Sequence, residues 1–302
     1  MAHDTSEFRY LAGQAAALGV PALEAARLTL SLPDGRELSA LRYGAGKPIA
    51  TLLHGAGLNA HTWDTTALLL GCPVLAIDLA GHGDSSWRED LDYRPERLAD
   101  DVALALREWT TTPQVLLGQS LGGLTAASVA ARHPELVREL LVVDITPGLD
   151  RDAAPSVLAE FYAQTDFASR DEAVERAMAF GFGGDRADTE RGVFLNTRVR
   201  ADGRVEWKHH FAQLAAQAMT SKPGGTGTAL VQADAGWADL AAVTAPITLV
   251  HATRGFLADE DVAEFSARLP DASVVQIDAT HNAQETAPAD LAALIAARTD
   301  AP

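Results

Sequence analysis

Val115-Leu116-Leu117-Gly118-Gln119-Ser120-Leu121-Gly122-Gly123 decides the reading of this chain. Val115 to Leu117 is a short apolar run that reads as a buried strand, and 121–132, rich in alanine and leucine, reads as a helix. Gly118-x-Ser120-x-Gly122 leaves almost no length in which to turn from one to the other. A turn that sharp lifts Ser120 above the strand end, and its glycines are needed because a side chain there would clash with neighbouring strand and helix. The helix then aims its N-terminal amides and positive dipole end at the serine. This pattern suits a serine used as a nucleophile better than an idle hydroxyl in a glycine-rich turn.

The same alternation extends outward. Residues 7–18 read as an amphipathic helix, and 28–32 and 37–43 as a hairpin around Pro33-Asp34-Gly35-Arg36. Apolar strands follow at 49–53, 74–78, 115–118 and 140–145, separated by helices at 62–70, 95–109 and 121–132. After a gap the pattern resumes with strands at 247–252 and 274–277 and helices at 259–269 and 288–298. Near-continuous apolar strands alternating with helices predict an α/β chain with a mostly parallel central sheet and helices on both faces. Between residues 148 and 234 the strand signal lapses. Helix-like stretches at 155–162 and 171–180 remain, punctuated by Gly181, Gly183, Gly184 and Pro223-Gly224-Gly225-Thr226-Gly227. About 85 residues is too long for a structureless loop. The expectation is a mostly helical cap without buried strands, 148–234, inserted between core segments 1–147 and 235–302 and lying over the C-terminal strand ends.

Other chemistry-bearing residues fall where this sheet needs them. His54-Gly55-Ala56-Gly57 follows the strand at 49–53, and tight glycine turns leave backbone N–H groups free to face a ligand. The Ala56 and Leu121 amides together would hold an oxyanion, with Gly57 beside the substrate. His54 reads as a hydrogen-bonded support of its loop. His82, in the turn Asp78-Leu79-Ala80-Gly81-His82-Gly83-Asp84-Ser85, reads as packing. His281 follows the last strand, the order in which a general base follows the serine. His209-His210 invites a metal reading. Adjacent side chains on a helix diverge, however, and no Cys or acidic cluster completes a ligand set, so both are assigned to packing or solvent. The expectation is no metal and no organic cofactor.

Composition excludes other classes. The chain has 302 residues, 47% hydrophobic and 22% charged, with a formal net charge of −17. That length buries a full core. The charge repels a phosphate backbone and disfavours anionic substrates, so no nucleic-acid partner is expected. No apolar run reaches the roughly 20 residues that span a bilayer, and 1–7 has no leader-like pattern; no membrane partner is expected. Cys72 is the single cysteine, which suits a reducing cytoplasm. The sequence leaves a homo-oligomer open.

His54-Gly55, Asp78 through Ser85, Gly118 through Gly123 and His281-Asn282, in this order and context, resemble the α/β-hydrolase superfamily over nearly the whole chain. The likeness is greatest to its capped esterases, enol-lactone hydrolases, carbon–carbon bond hydrolases and haloperoxidase-like enzymes. Dehalogenases and epoxide hydrolases of the same fold use an aspartate where this chain has Ser120. The resemblance implies a triad acid, usually in the loop after the strand at 247–252. Here that loop reads Thr253-Arg254-Gly255-Phe256-Leu257, with no carboxylate before Asp259, which an N-cap role explains. Some relatives carry the acid one strand earlier, where this chain has Asp144. The expectation favours Asp144 and keeps Asp259 as the alternative. The reaction implied is hydrolysis of a small or medium carboxylic ester or lactone through an acyl-enzyme on Ser120, with the cap aromatics Phe161, Tyr162 and Trp207 lining the pocket. Cleavage of a diketone carbon–carbon bond, acyl or perhydrolytic transfer, and a non-catalytic ligand receptor are the alternatives.

Overall fold

A computed structural model describes residues 6–149, 160–220 and 233–299. The first core segment runs α1 (Leu11–Leu18), β1 (Ala25–Ser31), β2 (Glu37–Tyr43), β3 (Ala50–Leu53), α2 (Asp64–Leu70), β4 (Val74–Asp78), α3 (Pro95–Trp109), β5 (Gln114–Gln119), α4 (Leu121–Arg132) and β6 (Val137–Val143). The insert carries β7 (Asp166–Phe167), α5 (Arg170–Ala179), α6 (Arg186–Asn196), β8 (Thr197–Val199), β9 (Val205–Trp207) and α7 (Phe211–Thr220). The chain closes with α8 (Ala233–Ala242), β10 (Ile247–Arg254), α9 (Asp259–Arg268), β11 (Ser273–Thr280), α10 (Ala283–Thr286) and α11 (Pro288–Thr299).

The eight core strands form one sheet in the order β1-β2-β4-β3-β5-β6-β10-β11. It is parallel from β4 to β11, and antiparallel only where β2 meets β1 and β4. β3, β4 and β5 are buried along their whole length. That burial on both faces is why they read as continuous apolar runs rather than alternating ones. One face packs against α3, α4, α8 and α9 through residues such as Leu98, Leu124, Leu240 and Phe265. The other packs against α1, α2 and α11 through Leu11, Leu68, Leu291 and Ile295. β11 is an edge strand and shows the mixed exposure of one.

This order places the site. From β3 the chain steps outward to β4, then reverses to lay β5 on the other side of β3. The C-terminal ends of β3 and β5 therefore flank the crevice where open α/β sheets bind ligands. His54 to Gly57 and Ser120 stand at those two ends.

The insert differs from the expected strand-free cap. β7, β9 and β8 form a three-stranded antiparallel sheet, and its Phe167, Val205 and Trp207 are buried. Strands of two or three residues are too short to show a period. The sequence cue is the tight turn through Asp202 and Gly203 between β8 and β9. The expected helix at 171–180 is α5, whereas most of the one at 155–162, and the glycine-rich 223–227, lie outside the described residues. No helix among the described residues is long and apolar enough to cross a membrane.

A polar network pins the loop after β4. Arg27 on β1 pairs with Asp78 at 2.7 Å and with Glu7, and the Asp78 carboxylate accepts the Ala60 and Asp84 amides. Burial opposes the Asp78 charge, but Arg27, His54 and the two amides together outweigh it and hold the carboxyl below its usual range. Beside it, His61 lies 3.1 Å from Asp64 and 3.2 Å from Glu7. Burial disfavours the imidazolium, yet those carboxylates raise its pKa to about 9. The free imidazole titrates near 6.5, so this stabilisation is complete below about pH 6.5 and is lost as pH rises through about 9. Melting temperatures between pH 6 and 10 should fall across that window, and His61→Gln, less stable at pH 6, should flatten the decline. A His61→Gln profile parallel to the wild type's would exclude this linkage.

Candidate active site

Ser120 caps the N-terminus of α4 with φ 53° and ψ −121°. Among described non-glycine residues only Leu91, Ser120 and Asp144 have positive φ. Such a conformation costs on the order of 1–3 kcal/mol and persists only where its surroundings enforce it. Here the Ser120 amide donates to the Val143 carbonyl at 3.1 Å, and its carbonyl accepts from the Gly123 and Leu124 amides. A Cβ on Gly122 would collide with the Leu53 carbonyl, so only glycine lets α4 begin directly over the end of β3. Ser120 is thereby held, largely buried, at the mouth of the crevice.

Asp144 and His281 meet across 137 residues of sequence: Nδ1 of His281 lies 2.8 Å from Oδ2 of Asp144. Asp144 continues the pairing of β6 with β10, its amide donating to the Val250 carbonyl at 2.8 Å. Its carboxylate is 0% exposed. Oδ1 accepts the Ala252 amide at 3.3 Å, and Oδ2 also accepts the Phe256 amide at 2.7 Å. A carboxylate accepting from Nδ1 fixes the imidazole tautomer and leaves Nε2 as the basic nitrogen. Asp259 is exposed at the first turn of α9 and forms no hydrogen bond or ion pair with His281, whose Nδ1 faces Asp144. It is not the N-cap residue either: Ala258 holds that position, and Asp261 accepts the Ala258 amide at 2.8 Å.

Three contributors in this region escape sequence reading. Gly255 leaves the space the Asp144 carboxylate fills, since a Cβ there would fall inside it. The Phe256 ring lies flat against His281. The Gln119 side-chain amide donates to the His281 carbonyl at 3.0 Å, tying the end of β5 to the histidine loop. A glycine followed by an apolar aromatic, in a loop short of carboxylates, was the only available signal.

Beside the serine, the Ala56 and Leu121 amides donate to no protein acceptor among the described residues. His54 braces that loop: its Nδ1–H donates to the Gly55 carbonyl at 2.8 Å, and Nε2 accepts the Leu79 amide at 3.0 Å. Across the seam with the insert, His82 and His209 are both buried, with ring centroids 6.2 Å apart. Burial pushes both imidazoles down, His209 to about 3, so these two rings are neutral. His210 diverges from its neighbour and stacks on Trp87 at 4.4 Å. Phe161 and Trp207 belong to the aromatic core of the insert itself, where they are covered by Phe167, Phe180 and Phe182. Tyr162 reaches further, with its hydroxyl over Gly57 and its ring against His209. Of the three expected lining aromatics it is the one in contact with the loop beside Ser120.

Comparison with known proteins agrees with this fold. The profile of the alpha/beta hydrolase fold family matches residues 51–288. Esterase Rv0045c of Mycobacterium tuberculosis is 37% identical over 271 residues, covering 87% of this chain and 84% of the relative. A crystal structure of that esterase superposes with a TM-score of 0.82 at 34% identity, covering both chains completely. The 2-(acetamidomethylene)succinate hydrolase of Mesorhizobium japonicum is 28% identical over 84% of this chain and 88% of its own. The chain belongs to the α/β-hydrolase superfamily, in its esterase branch.

Gly255→Ala should displace the Asp144 carboxylate and lower kcat/KM on an activated ester by at least ~100-fold. Gly13→Ala, in α1 with nothing within 4 Å, is the control and should leave activity and melting temperature undiminished. Equal activity of the two variants would mean that the pair does not need this space.

Proposed function

We propose that this ester hydrolase cleaves a small or medium neutral carboxylic ester or lactone through an acyl-enzyme on Ser120. The observation that carries the reading is the 2.8 Å hydrogen bond between the buried Asp144 and His281, with Ser120 strained at the head of α4. In the first half-reaction the imidazole Nε2 of His281 takes the Ser120 hydroxyl proton as Oγ attacks the carbonyl carbon. The Ala56 and Leu121 amides receive the negative oxygen, where each such donor contributes roughly 3 kcal/mol. The imidazolium, stabilised by Asp144, returns its proton to the departing alkoxide. In the second half-reaction a water gives its proton to His281, attacks the acyl carbon, and releases the acid and Ser120. These steps need only side chains, amides and water.

Three features favour a neutral substrate. The histidines at the seam are uncharged, Tyr162 presents a phenol beside Gly57, and the chain carries a net charge of −17. Tyr162 is the proposed lining residue of the insert. The single cysteine suits a cytoplasmic enzyme.

Fluorophosphonate labelling with peptide mapping tests the reading. One probe per chain on Ser120 is expected, abolished in Ser120→Ala. Asp144→Asn should slow labelling by at least ~100-fold, and Asp259→Asn by less than about twofold. A folded wild type that takes up no probe would overturn the nucleophile and point to a ligand receptor. Equal slowing by the two aspartate variants would overturn the acid. Labelling without ester turnover, but with diketone cleavage or transfer to an added alcohol, would reassign the reaction.

A further inference from the structure

The loop after β10 carries no carboxylate before Asp259, yet it converges on the Asp144–His281 pair. Gly255 makes room for the carboxylate. The Phe256 amide donates to Asp144 Oδ2, the oxygen that also faces His281 Nδ1. The Phe256 side chain then lies face to face with the imidazole, ring centroids 3.5 Å apart and planes 9° from parallel. Phe256 is 45% exposed, one of the few large apolar residues left open to solvent among the described residues. A phenylalanine there contributes little to the hydrophobic core. What it covers is His281.

We propose that Phe256 is a positioning residue for the general base, holding His281 in register with Asp144 and stabilising its protonated form. The inference rests on the reading of Ser120 as nucleophile and His281 as base. The imidazole can rotate about its Cβ–Cγ bond only by driving a ring edge into the phenyl face, so Nδ1 stays on the carboxylate and Nε2 keeps its direction. Proton transfer from Ser120 then creates a cation over an aromatic face, an attraction the neutral imidazole lacks. The benefit is therefore largest in the transition state, where it raises kcat rather than tightening substrate binding. Tyrosine or tryptophan would supply the same face. Leucine would supply cover without it.

The test uses the full chain as wild type, Phe256→Leu, Phe256→Trp and Phe256→Tyr. Steady-state kinetics on a neutral p-nitrophenyl ester, fluorophosphonate labelling rates and melting temperatures are measured together. Phe256→Leu should lower kcat about tenfold with KM within twofold, and slow Ser120 labelling by a similar factor. Phe256→Trp and Phe256→Tyr should restore both rates to within about threefold of wild type. Should Phe256→Leu melt below the assay temperature, Phe256→Met takes its place. Wild-type rates in the aliphatic variant would overturn the proposal, as would a loss confined to KM or a tryptophan variant as slow as leucine. Failure of the wild type to label at Ser120 would instead remove the site reading on which the proposal stands.

Discussion

A fully buried carboxylate organises this molecule. An ionised carboxylate taken out of water costs several kcal/mol unless neighbouring donors replace its hydration. Asp144 receives the Ala252 and Phe256 amides and faces His281 Nδ1. Those donors come from β10, the loop after it and the loop after β11, so the arrangement exists only when β6, β10 and β11 lie side by side. The register Val143↔Val250 then carries Asp144 to the strand end where those donors are. The same strand reaches Ser120, because the Val143 carbonyl accepts the Ser120 amide. Strand order, the strained turn at Ser120 and the placement of the imidazole are thus one connected set of constraints.

The insert is tied to the opposite side of this centre. Asn196 donates to the Gly57 carbonyl at 2.8 Å, Lys208 pairs with Asp84 at 2.9 Å, and the His210 amide donates to the Gly81 carbonyl. All of these anchors lie on loops leaving β3 and β4, beside the Ala56 amide. The aromatic cluster around Phe161 and Trp207 gives the insert a core of its own. The two parts are therefore packed separately: the sheet ends hold Ser120, Asp144 and His281, and the insert, with its own core, is joined to the loops beside them.

Much of this was legible residue by residue. α3 and α4 start and stop where proline, glycine and apolar periodicity placed them, and the buried strands showed as short apolar runs. Departures occurred where local signals are weakest. The small sheet of the insert uses strands of two and three residues, which carry no measurable period. Asp259 looked like a cap by position, but Ala258 holds the cap site and Asp261 accepts its amide. Trp207 looked like a pocket residue by chemistry and is packed in the insert's interior.

The amino-acid sequence by itself determined the α/β alternation, the turn that raises Ser120, and the histidine after the last strand. Each rests on residues within one or two turns of chain, where glycine, proline and apolar spacing act directly on the backbone. Tertiary structure alone decided which carboxylate faces His281, which loop makes room for it, and which aromatic covers the imidazole. Those choices depend on which strands are neighbours and in what register. Hydrogen bonds between residues more than a hundred positions apart set that, and no local pattern records it.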